Sequence, residues 1–354
     1  MVKALSLFSG SLASQVATRL IEQSPQVDKV FLLYFRSPFF EEYDQIRDIV
    51  KQNWPRASFR TQSLKKDYRR LANIPMGNCF SLTRSCLSCR TLFLSRAIRY
   101  MERIQADFIV TGERVGHHGL SEGEMKRITE DLGIGGLVLR PLSAQLLPPT
   151  RAEIEGWVDR DCLGDLVADE EDRLRQLAQD LGFPFEHSLD CKLRCKLTRP
   201  GFGERLENLF EEEGFTLNAV KLLDFTLYYK HPPDVKITLA MNEEEKRLLQ
   251  SFFLPQDLRV YLPTHRGPMT LVRTQWQEKS AAEIRKIIEL AGRITATHSE
   301  AAQLSTIQVN YRFENDDETL RLMVRPFTSV DEIAAHCFVS HSPSVLSSQA
   351  TSSP

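Results

Sequence analysis

The opening of the chain sets the strongest constraint on its fold. An apolar run, Ala4-Leu5-Ser6-Leu7-Phe8, meets a turn of small residues, Ser9-Gly10-Ser11, and then apolar positions Ala13, Val16, Ala17, Leu20 and Ile21 at helical spacing. A short buried strand passing through a Ser/Gly turn into an amphipathic helix is the start of a βα unit. The pattern repeats: residues 29–35 read as a second strand, 40–52 as a helix and 57–64 as a third strand. Parallel strands need a crossover between them, usually a helix, so this alternation predicts an α/β domain on a doubly wound parallel sheet. Residues 108–110 and 137–142 read as further strands, 89–104 as a basic amphipathic helix, and 169–181 as an acidic one.

The alternation then stops. Residues 235–239, 258–262, 270–273 and 306–313 are short strand-like runs, with helices at 243–251 and 281–291, which predicts a second, smaller α+β domain. The expected division is a first domain over 1–185, a connecting segment over 186–232 that contains Cys195, the second domain over 233–332, and a Ser-rich disordered tail over 333–354.

With 354 residues the chain has ample length for two cored domains. Lys and Arg number 45 against 47 Asp and Glu, so no global polycation points to nucleic acid. Charge is instead segregated: residues 51–107 hold twelve basic and three acidic side chains, and residues 151–185 hold four basic and ten acidic. Such segregation suits a surface that attracts phosphate and equally suits two solvated helix faces. Within the basic stretch, Lys65, Lys66, Arg69 and Arg70 are the candidate RNA contacts. The first apolar run is too short for a secretory signal and no run reaches membrane-spanning length, so the expectation is a cytoplasmic protein, away from membranes, whose seven cysteines are reduced.

Two sites could carry chemistry. Backbone N–H groups at a helix N-terminus, flanked by Ser9, Ser11 and Ser14 around Gly10, form a natural cradle for phosphate, although any strand-to-helix turn favours Ser and Gly for capping. Cys86 and Cys89 have the C-x-x-C spacing that lets two thiolates meet one metal or exchange as a dithiol. Cys191 and Cys195 make a four-thiolate zinc site a rival arrangement. A persulfide resolved by a second cysteine is a third, and unligated reduced thiols a fourth.

These residues resemble the PP-loop family of ATP pyrophosphatases, and within it the tRNA-thiolating enzymes of the 4-thiouridine and 2-thiouridine type. The resemblance covers roughly residues 1–205. It is carried by the Ser9–Ser14 loop, Cys86-Leu87-Ser88-Cys89 before a helix, Ala106-Asp107-Phe108-Ile109-Val110-Thr111-Gly112-Glu113, Leu139-Arg140-Pro141-Leu142-Ser143-Ala144, Leu147-Pro148-Pro149-Thr150 and Glu155-Gly156-Trp157-Val158-Asp159-Arg160. It implies an adenine nucleotide alpha hydrolase-like fold, with ATP and Mg used to adenylate a tRNA uridine before sulfur replaces the activated oxygen. It also implies nucleotide contacts at Ser9, Gly10, Ser11, Ser14, Thr111, Gly112 and Glu113. Cys86, Cys89 and Cys195 match cysteines that carry sulfur or hold a [4Fe–4S] cluster. The implied partners are tRNA and either a sulfur donor protein or sulfide, with room for a homodimer.

Two positions depart from the family's Ser-Gly-Gly-x-Asp-Ser loop. Ser11 replaces the second Gly, and Ala13 replaces an Asp suited to placing a metal ion beside the triphosphate. Nucleotide binding is therefore expected to survive better than turnover. In the second domain, the run from Lys236 to Lys246, Tyr261-Leu262-Pro263 and Arg266-Gly267-Pro268 resemble an NFACT-type RNA-binding domain, whose Gly-Arg-Asn stands here as Ala240-Met241-Asn242.

Overall fold

The computed structural model describes residues 1–40, 43–64, 82–182, 195–196, 201–211 and 216–339, and divides into two units, Met1–Thr198 and Arg199–Pro354.

The first unit runs β1 (Val2–Leu7), α1 (Leu12–Glu22), β2 (Val27–Arg36), α2 (Tyr43–Asn53), β3 (Ser58–Ser63), α3 (Leu82–Ile104), β4 (Phe108–Thr111), α4 (Glu122–Asp131), β5 (Val138–Leu139), α5 (Arg151–Ile154) and α6 (Glu171–Asp180). Its five strands pair in parallel in the order β3-β2-β1-β4-β5. Alternate strand residues feed opposite faces. Ala4, Phe8, Leu32, Tyr34 and Val110 pack with Val16 and Ile21 of α1, Ile46 and Ile49 of α2, and Leu174 of α6. Leu5, Leu33, Phe35 and Ile109 are buried on the other face, where the Phe35 ring stacks on Phe93 of α3 at 5.2 Å. The centre of the sheet is thus buried on both sides, which is why β1, β4 and the second half of β2 carry apolar runs, whereas the edge strand β3 is polar and more exposed.

One boundary is corrected. α3 begins at Leu82 rather than near Cys89, so Cys86 and Cys89 lie within the helix instead of before it. Three residues apart, these positions share one helix face. The Ser- and Cys-rich start of the helix has no apolar period that would have revealed it.

The second unit runs α7 (Phe202–Glu211), α8 (Leu217–Leu222), β6 (Leu227–His231), β7 (Val235–Ala240), α9 (Glu243–Gln250), β8 (Leu258–Tyr261), β9 (Met269–Arg273), α10 (Ala281–Thr297), β10 (Ile307–Phe313), β11 (Leu320–Val324), α11 (Val330–Ala334) and β12 (Phe338–Val339). Its seven strands are all antiparallel, in the order β11-β10-β8-β9-β7-β6-β12. α10 lays Ile287, Ile288, Ala291 and Ile294 against Ile237, Leu239, Val260, Val272, Val309 and Val324. Leu222 of α8 and Leu249 of α9 cover Ala240 and Leu271 on the opposite face. Two segments differ from expectation. α7, α8 and β6 fall in the stretch read as a connector, and Ile333, Cys337 and β12 fall in the stretch read as tail, yet Ile333 and Cys337 are buried in this core. Among the described residues, no helix is long and apolar enough to cross a membrane.

A part-buried tyrosine–histidine pair is expected to make this unit acid-sensitive. Tyr229 Oη lies 2.6 Å from His298 Nε2, and burial pushes His298 down to about 4 and Tyr229 up to about 12. A histidine whose folded value is depressed contributes stability that is fully present above its unfolded value of 6.5 and is lost as pH falls toward about 4. The unfolding free energy of this unit is expected to drop by on the order of 3 kcal/mol across that window, with His298→Gln removing most of the slope in urea titrations. An equal slope in wild type and variant contradicts the assignment.

Candidate functional site

The strand order reverses between β1 and β4, and in open α/β sheets ligands bind at the carboxyl ends of the strands flanking such a switch point. The Ser9–Ser14 loop leaves β1 there, and Thr111, Gly112 and Glu113 leave β4 beside it. Gly10 has φ +76°, a left-handed conformation that glycine enters without steric penalty. Ser11 caps α1: its Oγ accepts the Ser14 N–H at 3.3 Å and lies 3.0 Å from Ser9 Oγ. Ser14 Oγ in turn donates to the Ser11 carbonyl at 2.9 Å. A helix N-terminus flanked by hydroxyls is chemically suited to an anion, but the Ser11 hydroxyl already sits on one of the N–H groups a phosphate oxygen would take.

Gly112 holds the two chain segments together. A Cβ on it would lie 2.6 Å from Ser14 N and 2.7 Å from both Ala13 C and Ser14 Cα. The end of β4 therefore meets the first turn of α1 backbone to backbone, a separation only glycine permits.

Glu113 follows, and its carboxylate is held by two arginines: Arg90 Nε of α3 at 2.7 Å and Arg140 Nε, just past β5, at 3.0 Å. The Thr111 hydroxyl adds a donor at 3.2 Å. Burial raises the Glu113 pKa, but the attraction of Arg140 and Arg90, with the Arg140 and Thr111 hydrogen bonds, outweighs it and holds the carboxyl below its ordinary value. Arg90 Nη1 is buried without a hydrogen-bond partner among the described residues. Two guanidiniums on one carboxylate leave a net positive charge at the crevice. Sequence reasoning missed Arg90 and Arg140 as site residues; the signal that could have found Arg140 is the meeting of opposite charges, Glu113 and Arg140, where two adjacent strands end.

For magnesium the fit is poor at position 13 and at the neighbouring carboxylate. Ala13 has no side-chain oxygen, and the Glu113 carboxylate is committed to its arginines and Thr111.

The cysteine helix reaches the same crevice. Cys89, half-buried, directly precedes Arg90 on the helix that the Arg90–Glu113 pair ties to the end of β4. Cys195 is also half-buried, and the N–H of its neighbour Lys196 donates to the Phe39 carbonyl at 3.0 Å. Phe40 meets the Phe93 ring edge-on at 6.2 Å, and Phe93 lies about one helical turn beyond Cys89. One short segment, Phe39 and Phe40, therefore touches both the helix of Cys89 and the neighbour of Cys195. The Cys86 side chain and Cys191 lie outside the described residues, as do Lys65, Lys66, Arg69 and Arg70. Among the described residues, no three His, Cys, Asp or Glu side chains form a metal-ligating group.

Residues 228–336 match the family model of the NFACT protein RNA binding domain. The expected resemblance in the second unit is thereby confirmed, with bounds wider than the sequence motifs alone indicated. No curated protein sequence matches the chain. Among solved structures, the C-terminal part of the fibronectin/fibrinogen-binding protein from Streptococcus suis is similar at 12% identity and TM-score 0.27, over 48% of this chain and 74% of that one. A 4-thiouridine synthetase in complex with RNA and ATP is similar at 21% identity and TM-score 0.32, over 51% of each chain. The U34-tRNA thiolase NcsA from Methanococcus maripaludis, with its [4Fe–4S] cluster, is similar at 16% identity and TM-score 0.29, over 70% of this chain and 73% of that one.

Proposed function

We propose that the first unit is an ATP-dependent sulfurtransferase domain acting on tRNA uridine, and that residues 228–336 hold the RNA. The observation that carries this reading is the Arg90–Glu113 pair, which seats the C-x-x-C helix at the switch point beside the Ser9–Ser14 loop. Nucleotide activation and sulfur transfer have to occur at neighbouring sites, and this contact supplies the adjacency.

In this reading the α1 N-terminus, Ser9 and Ser14 hold ATP phosphates, and Arg90 and Arg140 provide the positive field that favours pyrophosphate as it leaves. The uridine carbonyl oxygen takes the adenylyl group, and sulfur then displaces AMP. Cys86, Cys89 and Cys195 are the groups that deliver the sulfur. A [4Fe–4S] cluster held on those three thiolates would supply an open iron for it; zinc or a cysteine persulfide are the alternatives. The reading places the chain in the cytoplasm, where thiols stay reduced.

A second reading, a homologue that binds nucleotide and RNA without turnover, is favoured by the Ser11 cap and by Ala13. Pyrophosphate release separates the two. Wild type is expected to release it slowly and only with tRNA, and the Ser11→Gly, Ala13→Asp double variant to release it faster by roughly a hundredfold. If neither releases pyrophosphate while both bind ATP, the sulfurtransferase reading is wrong and the second one stands.

A further inference from the structure

The sheet of the second unit has one face with two different halves. Over β7 and β9 it is covered by α8 and α9. Over β8, β10 and β11 it bears polar and charged side chains. Leu258, Val260, Ile307, Val309, Leu322 and Val324 point toward α10, so Arg259, Tyr261, Gln308, Asn310, Arg312, Arg321 and Met323 point the other way.

The strand register arranges them in rows. Tyr261, Asn310 and Arg321 lie side by side across the three strands, Arg259 lies opposite Arg312, and Gln308 lies opposite Met323. Neighbours in a row are about 4.8 Å apart along the hydrogen-bonding direction. Arg259 is neutralised by Glu314, through Nε at 2.7 Å and Nη2 at 3.0 Å. Arg312, directly across from Arg259, has no ion pair among the described residues, and neither does Arg321. With the Arg259 charge met by Glu314, Arg312 and Arg321 are the cations of this face that an anion would pair. Gln308 Nε2 donates to Asn310 Oδ1 at 3.2 Å, which leaves the Gln308 carbonyl and the Asn310 amide hydrogens facing outward. Met323 is 59% exposed, and Tyr261 is partly so.

We infer that this face binds single-stranded RNA, an inference that rests on the RNA-holding role proposed for residues 228–336. Arg312 and Arg321 contact phosphates, the Tyr261 ring stacks on a base with Met323 beside it, and the Gln308 and Asn310 amides bond to base edges. Unpaired bases can splay onto a flat sheet in this way, whereas a duplex hides theirs in a groove. An acidic protein segment would engage the arginines but give the ring and amides no task.

The test is fluorescence anisotropy on the full chain, with a short labelled single-stranded RNA, its duplex, and polyglutamate as a competitor. Single-stranded RNA is expected to bind better than duplex. The Arg312→Gln, Arg321→Gln variant should bind it at least tenfold more weakly, with a salt slope reduced by about 1.4 for two lost phosphate contacts. Tyr261→Leu should weaken binding roughly tenfold and leave the slope unchanged. Arg321→Glu, at an exposed position, serves if the double variant melts early. Ultraviolet cross-linking should label the peptides that contain Tyr261 and Met323, which separates this face from any other RNA contact in the chain. RNA binding that is unchanged in all variants, with cross-links only elsewhere, overturns this face and leaves the RNA role standing. No RNA binding by wild type overturns both. Competition by polyglutamate as strong as by RNA overturns it in favour of an acidic protein partner.

Discussion

Glu113→Gln is expected to lower the unfolding free energy of the first unit by about 3–5 kcal/mol, because it leaves two buried guanidiniums without their counter-charge. The side chains of Arg140 and Arg90 are only 7% and 14% exposed, so water cannot take over the role of the carboxylate. The pH dependence follows from the lowered Glu113 value. Its contribution is fully present above the ordinary carboxyl value of 4.5 and is lost as pH falls through the lower folded value. Wild type should therefore lose stability below about pH 4.5 in a way the variant does not. Urea denaturation across that range reads both effects, and Arg140→Met placed on top of Glu113→Gln should add less than its effect alone. A loss under 1 kcal/mol for Glu113→Gln would mean that the arginines find other partners.

Gly112→Ala is expected to act on the nucleotide site and the fold together. Its methyl group would stand 2.6 Å from Ser14 N, and the atoms it meets are backbone, which cannot rotate aside. The first turn of α1 has to move away from β4, at about 1–3 kcal/mol, and the loop N–H groups move with it. ATP affinity should fall by two orders of magnitude or more, measured by calorimetry on protein that still melts cooperatively. Unchanged affinity in folded Gly112→Ala would place the nucleotide elsewhere.

The parts of this architecture that sequence revealed are those encoded locally. The strand, Ser/Gly turn and helix at residues 4–21 announce themselves because turn chemistry and apolar period change within a few residues. The Arg90–Glu113–Arg140 cluster does not, since it joins α3, the end of β4 and the end of β5, and no local pattern encodes a contact across those separations. α10 illustrates a second limit. The apolar pattern predicts a helix only to Ala291, but the helix continues through Gly292, where a Cβ would meet Val309 and Val324 side chains at 3.1 Å. That glycine serves close helix-to-sheet packing rather than termination. α7 and α8 lay hidden because a Cys-, Lys- and Arg-rich stretch precedes them, and α7 buries Arg205, whose guanidinium bonds the carbonyls of Leu223, Phe225 and Thr226 at 2.7–3.1 Å. A buried arginine looks like surface in a hydropathy pattern.

If nucleotide activation and cysteine-borne sulfur meet at the β1–β4 crevice on a tRNA substrate, the protein makes thiouridine. Mass spectrometry of nucleosides from tRNA tests it most directly, after incubation with anaerobically purified protein, ATP and sulfide. The expected product is a thiouridine that accumulates slowly, requires ATP, is absent with Cys89→Ser, and forms faster with the Ser11→Gly, Ala13→Asp variant. Thiouridine formed without ATP, or formed equally by Cys89→Ser, would contradict it, as would none formed by any of these proteins.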